Sequence, residues 1–353
     1  MATGAVGPFG YAALFIQSII MSEPLLEVEN LRTQFKLGKD QIPAVNGVSF
    51  SIGKGEVLGI VGESGSGKSV TALSLMQLID PPGEITAGKV LFHDDGRTVD
   101  LLQLSAKQLQ KISGNRISMI FQDSMSSLNP VLSVGFQIAE TLRIHSGLSR
   151  KAARERAIDL LNRVGIANAC QRSADYPHEF SGGMLQRVMI AMAIACKPAL
   201  LIADEPTTAL DVTIQAQILS LLGECSRDFG MSIILITHDL GVIAQLADRV
   251  AVMYAGRIVE TSTASLIFHN AQHPYTQALA ASIPRLNNLP DRLPTIEGSP
   301  IRSQREDFAG CSFYPRCSQR VNKCSEKRPD LLQILPRQLV ACWITQLGAT
   351  VNA

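Results

Sequence analysis

The sequence predicts an α/β protein with a parallel sheet at its core, a helical insert and a small C-terminal module. From Leu25 onward, short apolar runs bounded by glycine alternate with amphipathic stretches. Residues from about 104 to 195 are rich in helix formers, and after about residue 270 repeated prolines interrupt any long element. We therefore expect an N-terminal extension (1–24), a core domain (25–270) with the insert at about 104–195, and a separate module (271–353).

Composition argues against some partners. The 353 residues carry a formal net charge of +1, so there is no basic field that would draw the chain onto nucleic acid. The mean hydropathy of +0.16 is somewhat apolar, which fits a chain that other subunits partly cover. We expect protein partners and no nucleic acid.

The N-terminal extension is uncharged over residues 1–22 and contains FGYAALFIQSIIM. A secretory signal needs a basic start, and the first basic residue is Arg32, so a signal peptide is not expected. No apolar run reaches the roughly 18 residues that a membrane span needs. Either translation starts at Met21, which we favour, or the segment rests on a partner or a membrane.

Predicted strands and helices alternate along the core domain. LLEVENL and VLGIVG are predicted strands, and KSVTALSLMQLI is a predicted amphipathic helix. RKAARERAIDLLNRVGI is a predicted amphipathic helix of the insert. ALLIAD and SIILITH are continuous apolar runs, as expected of strands that a parallel sheet buries on both faces.

GESGSGKS, residues 62–69, lies between a predicted strand and a predicted helix, which is the context of a phosphate-binding loop. Its glycines let successive N–H groups point at phosphate oxygens, and the helix N-terminus adds partial positive charge. A lysine here reaches the β and γ phosphates, and the next hydroxyl coordinates Mg²⁺. The candidate ATP-binding residues of this loop are Gly62, Ser64, Gly65, Gly67, Lys68 and Ser69.

Further candidate residues stand where other predicted strands end. In LLIADEP, Asp204 can hold the Mg²⁺ hydration shell and Glu205 can accept a proton from the attacking water. His238, in THD, could hydrogen-bond the γ phosphate, and Gln122 could reach Mg²⁺ and that water. Ser69, Gln122 and Asp204 are thus the candidate Mg²⁺ ligands.

A second glycine group, Ser181, Gly182 and Gly183, precedes an apolar helix in the predicted insert. Its N–H groups could not easily reach the phosphate loop of the same chain. Two ATPase domains arranged head to tail would let each present this group to the nucleotide held by the other. ATP would then join the two domains, and hydrolysis would release them.

Taken together, GESGSGKS, Gln122, FSGGM, LLIADEP, TALD and His238 occur in the order and spacing of the nucleotide-binding domain of ABC ATPases, over residues of about 25–265. This resemblance implies Glu205 as general base, His238 as switch histidine and Asp211 in a loop that touches the partner domain. Phe35 stands where the family places an aromatic ring on adenine. One departure is Met184, where the signature usually has glutamine.

GFQIAETL, the stretch from YPHEFSGG to AQIL, and HPYTQALAASIP followed by a cysteine-bearing tail closely resemble the D-type ATP-binding subunit of bacterial dipeptide and oligopeptide importers. The resemblance implies a paralogous ATPase subunit, two membrane permeases and an extracytoplasmic peptide-binding protein as partners. It also implies a peripheral position on the cytoplasmic face of the inner membrane. Whether the two ATPase subunits are identical stays open, as does the peptide length.

The tail carries Cys311, Cys317, Cys324 and Cys342. A reducing cytoplasm argues against disulfides, and the spacings are too wide for the usual pairs of a zinc site. A [4Fe–4S] cluster tolerates wider separation, and the resemblance favours it too; zinc or unliganded thiols are the alternatives. The other cysteines, which we expect to be small core residues, are Cys170, Cys196 and Cys225.

The alternative functions are import of another solute, a non-transport role for an ABC ATPase, and phosphoryl transfer by a P-loop kinase. The same scaffold could power an importer of another solute, such as nickel. An ABC ATPase acting on DNA ends needs a long coiled coil, but only about 110 residues separate Lys68 from Ser181 without sustained heptads. A ribosomal type carries two sets of motifs where this chain has one. A P-loop kinase would have no need of the SGG group.

Overall fold

The computed structural model describes residues 23–123, 127–208, 210–282, 296–298 and 309–351. The predictions for residues 1–22 therefore lie outside the described residues. The chain forms two compact units. The first unit comprises the residues up to 53, residues 57–102 and the chain from 237 onward; the second comprises residues 54–56 and 103–236.

The first unit opens with an antiparallel sheet of four strands in the order β2-β1-β4-β5. Its elements up to residue 100 are β1 (Pro24–Leu37), β2 (Asp40–Gly53), β3 (Val57–Val61), α1 (Lys68–Leu75), β4 (Gly83–Asp94) and β5 (Arg97–Asp100). The predicted strand LLEVENL is only the first half of β1, which runs on to Leu37. It continues because Gln34 and Phe35 pair with β2 on one side and with β4 on the other. Pairing on both edges extends a strand beyond its apolar run.

The second unit contains a parallel sheet of three strands in the order β6-β7-β8. Its elements are α2 (Ala106–Ile112), β6 (Ile117–Ile120), α3 (Val134–Ser146), α4 (Arg150–Arg163), α5 (Ala169–Arg172), α6 (Gly182–Ala193), β7 (Leu200–Asp204), α7 (Val212–Phe229) and β8 (Ser232–Thr237). Every residue of β7 and β8 is buried. This is the burial expected from their continuous apolar sequences.

Helix α4 shows how the sequence determines a local element. Its N-cap Ser149 accepts a hydrogen bond from the Ala152 amide, which satisfies one of the unpaired donors of the first turn. The buried residues of the helix are Ala153, Ala157, Leu160 and Leu161, so they recur at a spacing of three to four. The predicted amphipathic helix is therefore present in the structure.

The chain from residue 237 returns to the first unit. Its elements are α8 (Leu240–Leu246), β9 (Arg249–Tyr254), β10 (Arg257–Thr263), α9 (Ala264–His269), α10 (Pro274–Ala281), α11 (Lys323–Glu326), β11 (Leu332–Leu335), β12 (Gln338–Val340) and α12 (Trp343–Val351). Within this unit the strand order is β11-β12-β10-β9-β3, with β3 and β9 parallel. The strand that leads into the phosphate loop is thus an integral part of the first unit's sheet.

The C-terminal residues extend that sheet, whereas the sequence predicts a module set apart. Strand β12 pairs with β10, with Glu260 opposite Val340. The fully buried Glu260 carboxylate accepts hydrogen bonds from the Gln338 side chain, at 2.7 Å, and from the amide of His273, at 2.9 Å. A buried carboxylate needs such donors, so Glu260 fastens the tail to the start of α10. Prolines and cysteines in the sequence give no sign of this pairing.

None of the helices in the described residues combines the length and the hydropathy needed to cross a membrane.

Candidate nucleotide-binding site

The loop GESGSGKS connects β3 to α1 in the first unit. Gly65 has φ +79° and Gly67 has φ +100°, backbone conformations that favour glycine. A Cβ at Gly67 would lie 2.4 Å from the carbonyl oxygen of Ala44, in β2, so only glycine fits there. These turns bring the loop to the N-terminus of α1, where its amides and the helix dipole favour an anion.

Lys68 is the first residue of α1 and is 5% exposed. Its Nζ donates hydrogen bonds to the carbonyl oxygens of Gly62, at 2.8 Å, and Glu63, at 3.0 Å. The ammonium group is thus held against the loop itself, and Ser69 follows in the first turn of the helix. Ser64 is exposed at the tip of the loop.

Glu63 was not among the residues predicted from the sequence, yet it ties the loop to residues far along the chain. Its amide donates to the hydroxyl oxygen of Tyr275 at 2.9 Å. Its carboxylate receives two hydrogen bonds from Arg316, at 2.6 and 3.0 Å. This carboxylate raises the pKa of the Arg316 guanidinium above its usual range, because the two hydrogen bonds stabilise the charged form.

Phe35 and His238 also belong to the first unit. Phe35 is half-buried near the end of β1, and a Cβ at Gly83 would lie 2.7 Å from its ring, so glycine makes room for the ring there. Its strand partner is Ile42, two residues before the Ala44 that contacts Gly67. His238 is exposed immediately after β8, and Asp239 begins α8 as its N-cap.

The second unit brings Gln122, Glu205 and Thr208 together. Oε2 of Glu205 accepts hydrogen bonds from Nε2 of Gln122, at 3.0 Å, and from Oγ1 of Thr208, at 2.8 Å. Glu205 has φ +48°, which is strained for a residue other than glycine, and its amide donates to the carbonyl of Ile236 at 2.8 Å. Asp204 precedes it at the end of β7 and is 4% exposed. Thr208 was not predicted to contact Glu205, although it is the first residue of the TALD motif.

In the same unit, Ser181 is the N-cap of α6, but its side chain makes no capping hydrogen bond. Ser181 and Gly182 are exposed. A Cβ at Gly182 would have nothing within 4 Å, and a Cβ at Gly183 would lie 3.0 Å from the side chain of Ile214. The chain itself therefore has no steric need for glycine at 182, and the bare amides of α6 are open to a group from outside.

Asp211 has a role inside its own chain. It is the N-cap of α7, and Oδ1 accepts hydrogen bonds from the amides of Thr213 and Ile214, both at 3.0 Å. The neighbouring Val212 is 83% exposed, which is high for an apolar residue. TALD is described except for residue 209.

The four cysteines of the tail lie in the first unit. Cys317, Cys324 and Cys342 are buried, and the amide of Cys311 donates to the carbonyl of Cys324 at 2.7 Å. Burial raises the pKa of the Cys311 thiol to about 11, and the other three thiols add to this rise. Within the described residues, no three His, Cys, Asp or Glu side chains lie close enough to hold one metal ion.

The three remaining cysteines were expected in the core. Cys225 is buried and Cys196 is half-buried, but Cys170 is exposed. The expectation for Cys170 was wrong because α5 has only four residues, of which only Ala169 is buried. A helix so short buries little of its surface.

A phosphate loop between a parallel strand and a helix, together with an acidic pair at the end of another parallel strand, defines a P-loop nucleotide hydrolase. Comparison with known proteins narrows this class. Residues 45–208 match the family model described as ABC transporter. Residues 259–324 match the model described as oligopeptide/dipeptide transporter, C-terminal region.

Relatives of known name cover almost the whole chain. The oligopeptide transport ATP-binding protein AppD of Bacillus subtilis is 49% identical over 321 residues, which are 91% of this chain and 96% of AppD. The dipeptide transport ATP-binding protein DppD of Escherichia coli is 50% identical over 309 residues, 87% of this chain and 92% of DppD. Among solved structures, the dimeric ATP-binding cassette MJ0796 bound to ADP and Pi has a TM-score of 0.60 at 28% identity; the match covers 68% of this chain and 98% of that one. The chain belongs to the ABC transporter ATP-binding proteins, and it is an ATPase of that family, which confirms the resemblance seen in the sequence.

Proposed function

We propose that this chain powers the import of dipeptides or oligopeptides by binding and hydrolysing ATP. One observation carries the proposal: a single chain matches both the ABC transporter model and the oligopeptide/dipeptide transporter C-terminal model, at residues 45–208 and 259–324. The printed names of AppD and DppD, at 49% and 50% identity, support the same substrate class.

The residue roles follow from chemistry and family resemblance. Lys68 binds the β and γ phosphates, and the loop amides cradle them. The hydroxyl, amide and carboxylate oxygens of Ser69, Gln122 and Asp204 are the hard donors that Mg²⁺ prefers, so this donor set fits the ion. Bound Mg²⁺ would neutralise charge on the transferred phosphate.

Two further residues act on water and γ phosphate in this proposal. Glu205 accepts the proton of the attacking water, and its hydrogen bonds from Gln122 and Thr208 fix the orientation of the carboxylate. His238 hydrogen-bonds the γ phosphate and responds to its loss. Phe35 stacks on the adenine ring.

The exposed group at Ser181, Gly182 and Gly183 binds the nucleotide of a partner ATPase domain. The open space at Gly182 supports this role, because nothing in the chain itself requires glycine there. We propose a paralogous ATPase subunit as that partner, with Asp211 and the exposed Val212 near the shared surface. Two membrane permeases and an extracytoplasmic peptide-binding protein complete the transporter, and the ATPases lie on the cytoplasmic face of the bacterial inner membrane.

We further propose that Cys311, Cys317, Cys324 and Cys342 hold a [4Fe–4S] cluster. The tail carries four cysteine thiols, of which three are buried, and thiolates are the ligands that such a cluster uses. The spacings of six and seven residues between Cys311, Cys317 and Cys324 are wider than the short cysteine pairs of the usual zinc site, and a cluster tolerates such separations. Zinc is the weaker candidate for the same reason.

The cluster proposal is tested by anaerobic purification of the full chain. We expect about four iron and four sulfide per chain, both lost in the Cys317→Ser and Cys324→Ser variants. Cys170→Ser is the matched control, because Cys170 is exposed and lies outside the tail. Stoichiometric zinc, or thiols without metal in the anaerobic protein, would contradict the proposal.

The transport proposal is tested by uptake of a labelled dipeptide in cells that lack this chain. Wild type should restore uptake, and Glu205→Gln should not, although it is expressed and assembled equally well. If wild type rescues uptake of another solute, such as nickel, and no peptide, the ATPase assignment stands and the peptide assignment is wrong.

A further inference from the structure

Each polar group of Glu63 is engaged. Its carbonyl oxygen accepts hydrogen bonds from Nζ of Lys68, at 3.0 Å, and from the amide of Ser66, at 3.1 Å. Its amide donates to Tyr275, and its carboxylate accepts two bonds from Arg316. Glu63 therefore links the phosphate-binding lysine to two residues that lie far along the chain.

Both distant anchors are buried. The Arg316 side chain is 4% exposed, and Tyr275 is fully buried. Phe313 packs its ring at 5.3 Å from that of Tyr254 and at 5.4 Å from that of Tyr275. Arg316 also donates to the carbonyl oxygens of residues 296 and 297. Packing of this kind fixes the guanidinium before any nucleotide arrives.

Arg316 belongs to the cysteine segment of the tail, so its contact with Glu63 joins that segment to the phosphate loop. Arg316 lies between Cys311 and Cys317, in the same short segment as Phe313. The cysteine segment of the tail is thus in direct contact with the phosphate loop, through an ion pair whose partners are 253 residues apart. Cys324, whose carbonyl accepts from the Cys311 amide, lies in the same part of the first unit.

Charge explains why the loop needs this partner. The Glu63 carboxylate stands one residue before the exposed tip of a loop that must receive a triphosphate, and like charges repel. A bidentate guanidinium neutralises the carboxylate and fixes its direction at the same time. Without Arg316, the carboxylate would oppose the phosphates and the loop would lose its ion pair with the cysteine segment.

We propose that Arg316 is a positioning residue of the nucleotide site, with Tyr275 as a second anchor, so that the cysteine segment sets the affinity of the phosphate loop for MgATP. The proposal rests on the assignment of the Lys68 loop as the ATP site. It assigns to the C-terminal tail a task in nucleotide binding, in addition to any cluster that it holds.

The test measures binding of a fluorescent ATP analogue with Mg²⁺ to the full chain. Arg316→Met should raise the Kd about tenfold, equivalent to about 1.4 kcal/mol. Adding Glu63→Gln to Arg316→Met should restore the Kd to within about threefold of wild type, because the unpaired charge is then gone. Arg316→Lys, which keeps the charge but loses the fork, should give an intermediate Kd and guards against a folding defect of the methionine variant.

Controls separate this inference from the site assignment. Arg320 lies four residues after Arg316, is exposed, and stacks its guanidinium on the ring of Tyr314. Arg320→Met therefore removes a similar side chain and should leave the Kd unchanged. Lys68→Ala should abolish binding if the loop is the ATP site; retained binding would refute that assignment itself. If Lys68→Ala loses binding but Arg316→Met does not weaken it, the positioning role is refuted. If the double variant binds MgATP as weakly as Arg316→Met alone, the role is also refuted. A contact that only stabilises the fold would not be rescued by Glu63→Gln.

Discussion

Replacing Glu205 by glutamine should stop ATP hydrolysis without disturbing the fold or nucleotide binding. The hydrogen bonds that Gln122 and Thr208 donate to Glu205 end on the same oxygen, Oε2. A glutamine at this position can place its amide oxygen there and keep both bonds, while its NH₂ group takes the position of Oε1. That group cannot accept a proton. The backbone strain at φ +48° is common to both residues and does not change.

The size of the effect follows from the lost proton acceptor. General base catalysis contributes about 10²- to 10⁴-fold, or about 2.7 to 5.4 kcal/mol of transition-state stabilisation. We therefore expect kcat of Glu205→Gln to fall at least a hundredfold in the assembled transporter, with the Kd for MgATP within about twofold of wild type. Phosphate release in single-turnover and steady-state experiments measures the first quantity, and binding of a fluorescent ATP analogue measures the second.

Two comparisons sharpen this experiment. Thr208→Val removes one hydrogen bond to Oε2 but keeps the carboxylate, so its kcat should fall by less than about tenfold. Glu205→Asp keeps an acceptor but shortens the side chain, and it should lie between wild type and Glu205→Gln. A glutamine variant that binds ATP normally and still turns over at more than a tenth of the wild-type rate would refute Glu205 as the base.

Three further outcomes are expected. Gly67→Ala should weaken MgATP binding by more than about tenfold, because strain of about 1–3 kcal/mol at φ +100° adds to a contact of 2.4 Å with the Ala44 carbonyl; calorimetric titration measures it. Asp211→Ala should lower the free energy of unfolding by about 1 kcal/mol in urea melts through loss of the α7 N-cap, whereas Asp211→Ser should retain most of it. Burial lowers the pKa of His273 from its ordinary value of 6.5 to about 3. Between pH 6.5 and about pH 3 the unfolded chain therefore binds one more proton than the folded chain. In that range the free energy of unfolding falls by about 1.4 kcal/mol for each pH unit by which the pH is lowered. His273→Gln should remove that part of the slope; an identical pH dependence in wild type and variant would contradict a buried neutral imidazole.

The parts of the site that the sequence predicts are those whose residues are neighbours in the chain. The phosphate loop is one run of eight residues, and Asp204 and Glu205 follow a continuous apolar strand. The glycines, the lysine and the acidic pair can each be explained by residues a few positions away in the sequence. For these residues the sequence is enough, because local backbone geometry and strand ends place them.

Contacts across long sequence separations could not be predicted in this way. Nothing near Glu63 indicates Arg316, and nothing near β10 indicates that β12 will pair with it. The hydrogen bond from Gln122 to Glu205, across 83 residues, is likewise a result of tertiary packing. A single sequence indicates turns and strands, but it does not indicate which distant side chain will donate a hydrogen bond to a given carboxylate.

The ion pair between Glu63 and Arg316 imposes a thermodynamic relation on the first unit. If the cysteine segment holds the phosphate loop in its binding geometry, then a change in that segment alters the affinity for MgATP, and MgATP must stabilise the segment by the same factor. The relation holds whatever occupies the four thiols, because the coupling free energy between two linked sites is reciprocal. The segment is short, and Arg316 is next to Cys317, so any ligand of that thiol constrains the backbone from which the guanidinium reaches the loop. The sequence predicts the tail as a separate module. The two hydrogen bonds from Arg316 to Glu63, at 2.6 and 3.0 Å, nevertheless place it to link the state of its cysteines to nucleotide binding.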